Sequence, residues 1–282
     1  MNKLTREKRI RVVAALVEGN SVRATCRMTG AAKGTVLKLL VDLGAACSAY
    51  QDAAFRNLKS RWIQCDEIWS FVGMKAKTAA RKGRTDAGDI WTWTALDAET
   101  KLVPSWLVGG RDSGTAHAFI QDLADRLANR IQMTTDGHKV YLEAVESAFG
   151  AAIDYSMLVK LYGADERQGE ARYSPAVCIG TRTVCCSGNP NPDHVSTSYV
   201  ERQNLTMRMS MRRFTRLTNA FSRKVENLSA AVSLHFMWYN FGRVHQTLRI
   251  TPAMAAGVTD HVWTLDEVIG LLEAQERKIA SN

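Results

Sequence analysis

The order of strand-like and helix-like segments in the middle of the chain constrains the fold more than any other feature. From Arg61 the sequence changes from helical spacing to the aromatic and β-branched runs that are typical of strands. The predicted elements are, in chain order, strands over 62–72, 90–96 and 102–108, a helix over 115–130, a strand over 131–135, a helix over 138–149 and a strand over 153–161. This β-β-β-α-β-α-β order predicts an α/β fold in which helices flank a mixed sheet.

Three helical segments precede this region. Periodicity predicts helices over 4–18, 21–29 and 32–43, with Ser21 as a cap and Gly30 in the turn, and residues 45–60 form a linker or helical connector. Two short helices joined by a tight glycine turn have helix-turn-helix geometry. We therefore predict a small all-α helix-turn-helix domain over 1–55. Its third helix would present Lys33, Thr35 and Lys38 to a DNA groove.

The regular alternation is interrupted after residue 161. An insertion over about 163–195 is basic and then rich in Gly and Pro, with one further strand expected near 183–186. Helical spacing resumes at Ser196, with one apolar stripe and, on the opposite face, Glu201, Asn204, Arg208 and Arg212. A long helix is predicted over 222–248 and a last one over 265–279. The predicted divisions are an α/β domain over 56–250 and a C-terminal helical tail over 251–282.

Charge is concentrated in two parts of the chain. The net charge is +9; residues 1–61 hold twelve Lys and Arg against four acids, and residues 196–250 hold nine against two. Two basic segments around an acidic middle favour a polyanionic partner, and double-stranded DNA is the natural candidate. No apolar run is long enough for a membrane span, and the N-terminus shows no signal-peptide pattern. We expect a cytoplasmic, nucleoid-associated bacterial protein with no membrane partner.

Three carboxylates are candidates for one site. Asp66 lies inside the first strand, Asp136 ends the strand after the first helix, and Glu201 lies one turn into a later helix. In the predicted topology the first strand is central and the Asp136 strand lies beside it in parallel, so these side chains are neighbours. Converging carboxylates require cations, and oxygen ligands favour two Mg²⁺ or Mn²⁺ ions. Glu67 points to the opposite face of its strand and ranks below Asp66.

The motifs around these carboxylates resemble a known family. Residues 64–73 read Q-C-D-E-I-W-S-F-V-G, residues 134–137 read T-T-D-G, and residues 199–208 read Y-V-E-R-Q-N-L-T-M-R. Together they resemble the DDE transposases of bacterial insertion sequences, most closely the insertion-sequence-one branch, over about residues 60–245. The resemblance implies an RNase H-like catalytic fold, divalent metal and cut-and-join chemistry on DNA. Asp66, Asp136 and Glu201 match the family's catalytic triad.

The chain departs from that family in two respects. The family often carries a four-cysteine zinc ribbon before its helix-turn-helix, whereas residues 1–30 hold only Cys26. In addition, 64 residues separate Asp136 from Glu201, which leaves the role of the 163–195 insertion open.

The resulting expectation is a transposase that binds the terminal repeats of an insertion sequence, cleaves there and joins the ends to target DNA. Arg202, Arg208 and Arg212 would hold the DNA strand against the metal site, and joining two ends implies a homodimer or a higher oligomer. Two alternatives remain: a non-transposing RNase H-like nuclease or resolvase, and a DNA-binding regulator with an inactive catalytic domain.

Overall fold

The centre of the protein is a six-stranded mixed sheet. The computed structural model describes residues 4–163, 178–215 and 218–281. Its strands are β1 (Trp62–Val72), β2 (Gly88–Asp97), β3 (Ser105–Gly109), β4 (Ile131–Asp136), β5 (Ile153–Tyr162) and β6 (Cys178–Ser187). They follow the order β3-β2-β1-β4-β5-β6. The β1–β4 and β4–β5 pairs are parallel and the other three are antiparallel.

Helices cover both faces of the sheet. They are α1 (Arg6–Val17), α2 (Val22–Thr29), α3 (Lys33–Ala54), α4 (Ala76–Arg81), α5 (Ser113–Ala124), α6 (Val140–Phe149), α7 (Ser198–Ser210), α8 (Val225–Met237), α9 (Pro252–Ala255) and α10 (Leu265–Ser281). One core lies between α5, α6 and one sheet face, and the other joins the opposite face to α1, α3, α7, α8 and α10. The α/β prediction is confirmed, and the mixed sheet is compatible with an RNase H-like fold.

The prediction that the third helix ends before Gly44 is wrong. Helix α3 continues to Ala54 and contains most of the segment predicted as a connector. Gly44 is the point where α3 crosses α8: a Cβ placed on it would lie 2.6 Å from the Cα of Ala230. The hydroxyl of Ser233 also donates to the Gly44 carbonyl at 2.7 Å. This glycine permits a close helix crossing rather than ending a helix.

Two other predicted helices are shorter in the structure. Helix α7 ends at Ser210 because Met211 is extended, so Arg212 lies in the 3₁₀ turn that follows. Leu217, predicted for the apolar stripe, lies outside the described residues. The helix predicted over 222–248 is α8 followed by a π-helical turn, Trp238–Gly242.

Strand predictions differ from the structure at both sides of the sheet. Strand β3 begins at Ser105 because the buried Asn240 amide binds the backbone N–H and C=O of Val103, each at 3.0 Å. Strand β6 lies inside the predicted insertion, is longer than predicted and extends the sheet next to β5. The polar segment between the first two predicted strands, residues 73–89, contains α4.

Candidate metal centre

The sheet topology brings Asp66 and Asp136 together. Parallel pairing of β1 with β4 places Cys65 opposite Thr135, so the next residue on each strand is one of these two aspartates. Asp66, Glu67 and Asp136 each offer a carboxylate oxygen, and these oxygens lie within 4.8 Å of one another. Among the described residues this is the one group of three or more acidic, His or Cys side chains with that proximity. We call these three residues the acidic cluster.

Glu67 contributes more to the cluster than its strand position suggests. As its strand position predicts, Glu67 faces the helix layer on the other side of the sheet from Asp66. There the Tyr141 hydroxyl of α6 donates to Glu67 Oε2 at 3.1 Å. Its side chain is only 1% exposed, and Arg111 forms an ion pair with it at 2.7 Å. Because Asp136 ends β4, it lies within reach of both carboxylates. Glu67, which the sequence analysis ranked below Asp66, is therefore a member of the same acidic cluster.

Burial and neighbouring charge make the cluster electrostatically unfavourable when no cation is present. Burial, followed by the charges of Glu67 and Asp136, raises the pKa of Asp66 to about 7. Burial and Asp136 also raise the pKa of Glu67, while Arg111 opposes that shift. Asp66 keeps two donors that favour its ionised form: its Oδ1 accepts from the backbone N–H of Glu67 at 2.9 Å and its Oδ2 from Asn204 at 2.7 Å.

Glu201 lies beside the acidic cluster and forms an ion pair with a lysine side chain. It occupies the first turn of α7, and Lys160 of β5 forms an ion pair with it at 2.7 Å. The hydroxyl of Thr197 also donates to it. Glu201 is close enough to contribute to the raised pKa of Asp66. The structure thus groups Asp66 and Asp136 tightly and places Glu201 next to them, paired with Lys160.

Two side-chain contacts fix α7 against β1. The buried Gln64 accepts through Oε1 from the backbone N–H groups of Tyr199 at 2.9 Å and Val200 at 3.1 Å, which caps the start of α7. One turn after Glu201, Asn204 donates to Asp66. The sequence predicts Asn204 on the same helix face as Glu201, opposite the apolar stripe. In the structure Asn204 is 5% exposed, because it packs against β1. The position of Glu201 therefore depends on residues of the same strand that carries Asp66.

Sequence reasoning missed three further residues around the cluster. Arg111 lies 4.0 Å from Asp136 as well as beside Glu67, and Lys160 pairs with Glu201. His138 follows Asp136 by two residues, and its buried Nε2 has no hydrogen-bond partner among the described residues. Burial and Arg111 lower the pKa of this imidazole. Only His138 had a usable signal, its closeness in sequence to the D-G turn.

The donor atoms fit a hard divalent cation. The cluster offers carboxylate oxygens, which suit Mg²⁺ and Mn²⁺ better than softer metals. Asn204, whose amide donates to Asp66, also has a buried Oδ1 without a hydrogen-bond partner among the described residues. This adds an unsatisfied oxygen next to the cluster. A cation among these groups would lower the Asp66 pKa and remove the mutual repulsion of three carboxylates.

The residues predicted to contact DNA lie at two places on the surface. Lys33, Thr35 and Lys38 occupy the first turns of α3; both lysines are exposed, and Lys38 pairs with Asp42 at 2.8 Å. Arg202 is exposed on α7, one residue after Glu201, and Arg208 lies near the end of that helix. Arg212 is exposed beyond the helix. The described residues contain no helix that is both long and apolar enough to cross a membrane.

Comparison of the chain with protein-family models finds no match, and comparison with curated proteins finds no relative. The site therefore has to be interpreted from its own residues.

Proposed function

We propose that this protein is a DDE-type DNA transposase, which cleaves and joins DNA at the ends of an insertion sequence. One observation carries the proposal: Asp66 and Asp136 lie next to each other, one position beyond the last parallel pair of β1 and β4, with Glu201 presented next to them by α7. Phosphodiester cleavage needs cations held at such a position, and the two basic parts of the chain provide charge for a DNA substrate.

The metal-binding residues in this proposal are Asp66, Asp136 and Glu201, with Glu67 as a further carboxylate. Two Mg²⁺ or Mn²⁺ ions bound there would activate the attacking hydroxyl and stabilise the leaving oxygen. Lys160 and Thr197 both contact Oε1 of Glu201, which leaves Oε2 as the oxygen that could bind a cation. The ammonium group of Lys160 lies where it can also neutralise a phosphate near the cluster.

The remaining residues position the substrate and the ligands. Asn204 holds Asp66 in one orientation, and Arg111 opposes the rise in the pKa of Glu67 that burial and Asp136 cause. Arg202, Arg208 and Arg212 hold the cleaved strand, while Lys33, Thr35 and Lys38 contact the terminal repeats from α3. Joining two element ends to a target requires at least two copies of the chain, so the functional form is a homodimer or larger.

The test is cleavage and strand transfer on a supercoiled plasmid that carries the DNA flanking this gene. We expect wild-type protein to nick and join DNA only with Mg²⁺ or Mn²⁺. Asp66→Ala, Asp136→Ala and Glu201→Ala should lose both activities and retain DNA binding. Glu143→Ala is the matched control, because Glu143 is an exposed carboxylate on α6.

The same assay separates the alternatives. Nicking of branched or hybrid substrates without joining would favour a non-transposing nuclease or resolvase. DNA binding with no metal-dependent nicking would favour a regulator with an inactive catalytic domain. Activity retained in any of the three alanine variants would remove that residue from the triad.

A further inference from the structure

A concave site rich in arginine lies at the C-terminal end of α7, away from the acidic cluster. It is formed where the end of α7 meets α1, α3 and α8. Its polar lining includes Arg212, Arg213, Arg243, Ser210, His235 and Trp238. No carboxylate is among the described residues that line it. We call this site the arginine pocket.

Arg213 is the most unusual member of the pocket. Its side chain is partly buried, and this burial lowers its pKa to about 10. Its Nε donates to the Ser222 hydroxyl at 2.9 Å, yet no carboxylate of the described residues forms an ion pair with it. Its Nη groups donate to no acceptor in the described part of the chain. A cation in this situation costs free energy unless an anion joins it.

The neighbouring groups add donors rather than negative charge. Arg243 donates to the Ser210 hydroxyl at 2.7 Å, and the acidic residue that pairs with it in the described part of the chain, Glu18, lies 3.4 Å away and is exposed. The indole N–H of Trp238 is buried without an acceptor among the described residues. Burial and Arg243 lower the pKa of His235, so this side chain adds no positive charge at neutral pH. The pocket therefore presents unsatisfied donors and a net positive charge to one small anion.

We propose that the arginine pocket binds one phosphate group of the DNA backbone, between the α3 surface and the acidic cluster. Arginine is suited to this ligand because its planar donor fork matches phosphate oxygens. Ser210 comes nine positions after Glu201, which corresponds to about 14 Å along α7 and about four base pairs of duplex. One DNA strand held at the pocket can therefore also reach the cluster. The assignment to DNA rests on the proposed function, whereas the phosphate chemistry does not.

The first experiment measures how the affinity for a short duplex depends on salt. Each neutralised phosphate contributes about one to the slope of log K against log salt concentration. We expect Arg213→Gln to lower that slope by about one, and Arg213→Lys to retain most of it. Arg61→Gln is the matched control, because the exposed Arg61 directly precedes β1, at the other end of the paired β1 and β4 segments from Asp136, and should leave the slope unchanged. Thermal unfolding of each variant checks that it is folded.

Arg243→Gln provides an independent variant if Arg213→Gln does not fold, and the same decrease is expected. Wild-type slopes in whichever of these two variants fold would overturn the proposal. Titration with inorganic phosphate distinguishes free phosphate from the phosphate of the DNA backbone as the ligand. Binding is followed by NMR of the Trp238 indole N–H, whose signal is assigned with Trp238→Phe. A saturable shift of that signal together with an unchanged DNA slope would mean that the pocket binds free phosphate, and the assignment to DNA would be wrong.

Failure of the transposase proposal is a separate result. A protein that never cleaves DNA would disprove the proposed function, yet the slope comparison would still show whether the pocket neutralises a backbone phosphate. Conversely, Asp66→Asn should lose cleavage while keeping the wild-type salt slope, because Asp66 lies outside the pocket.

Discussion

Asp66 carries an electrostatic cost that its surroundings only partly offset. It has two good donors, the Glu67 backbone and Asn204, but burial and three neighbouring carboxylates still raise its pKa to about 7. A buried carboxylate kept at this cost is a frequent feature of functional sites, since selection for stability alone would remove it. Because this cost affects stability, the environment of Asp66 can be tested by measuring stability, without an assay of activity.

The first prediction concerns pH and stability in the absence of metal. The folded-state pKa of Asp66 exceeds the unfolded one, so its contribution to stability is complete below about pH 4 and is lost as pH rises through about 7. Metal-free wild type should therefore lose more melting temperature between about pH 5 and about pH 8 than Asp66→Asn does. Mn²⁺ should reverse that loss in the wild type only. Identical pH dependence in the two proteins would contradict the burial of this charge.

At the scale of elements, contacts with strand β1 fix the position of helix α7. Gln64 caps the helix from β1, and Asn204 returns from the helix to Asp66. The residue types that form these contacts are ordinary, and their spacing gives no signal. Helical periodicity reports which residues share a face but not how the helix is rotated against the sheet. For that reason the sequence predicted α7, its glutamate and the face on which Asn204 lies, but not the contact between Asn204 and Asp66.

The second prediction tests the cap on α7. Gln64→Leu leaves two backbone N–H groups without their acceptor, which should lower the free energy of unfolding by about 1–3 kcal/mol. It should also displace Glu201 and reduce metal-dependent cleavage, because the start of the helix is no longer held. Urea unfolding and the plasmid assay measure the two effects. Gln132→Leu is the control: this buried glutamine bonds Asn191 from β4 and does not touch α7. Equal loss of cleavage in both variants would contradict the role of Gln64.

The third prediction concerns the crossing of α3 and α8. Gly44→Ala would place a methyl group 2.6 Å from Ala230, and overpacking of this kind should destabilise the protein by about 1–3 kcal/mol. Gly34→Ala is the matched change in the same helix, with nothing within 4 Å of its added Cβ. It should stabilise by about 0.5–1 kcal/mol, because alanine favours helix. We expect urea unfolding to show changes of opposite sign in the free energy of unfolding for the two variants. Destabilisation by both would mean that the space available at each glycine does not determine the effect.

At the scale of the whole molecule, the N-terminal helices are integrated with the rest of the chain. Residues of α1 and α3 share a core with α8 and α10, and Arg6 pairs with Asp266 across the two ends of the chain. The predicted boundary at residue 55 therefore falls inside a continuous packed region. A helix-turn-helix domain that folds alone would need its own core.

A fourth prediction follows for the isolated segment 1–61. Without α8 and α10, the apolar faces of α1 and α3 are exposed, so the fragment should show reduced helicity and no cooperative thermal transition by circular dichroism. The full chain is the reference. A cooperative transition in the fragment would instead support an independent domain ending near residue 55.

Topology and local patterns account for what the sequence could predict. The run of strand-forming residues around Asp66 and the position of Asp136 after a helix were sufficient to place two carboxylates on adjacent strands. Site residues that are distant in sequence from Asp66, such as Arg111 and Lys160, could not be predicted. Their contacts depend on strand register and side-chain direction. Gly44 shows a different limit: a glycine inside a helix looks the same in sequence whether it ends the helix or permits a close contact.

The most direct test of the central claim is Mn²⁺ binding measured by calorimetry in the presence of duplex DNA. We expect saturable binding by the wild type and by Glu143→Gln, which removes an exposed carboxylate, and its loss in Asp66→Asn and Asp136→Asn. That result would establish the acidic cluster as a metal site. Equal binding by all four proteins, or by none, would contradict a metal centre at Asp66 and Asp136.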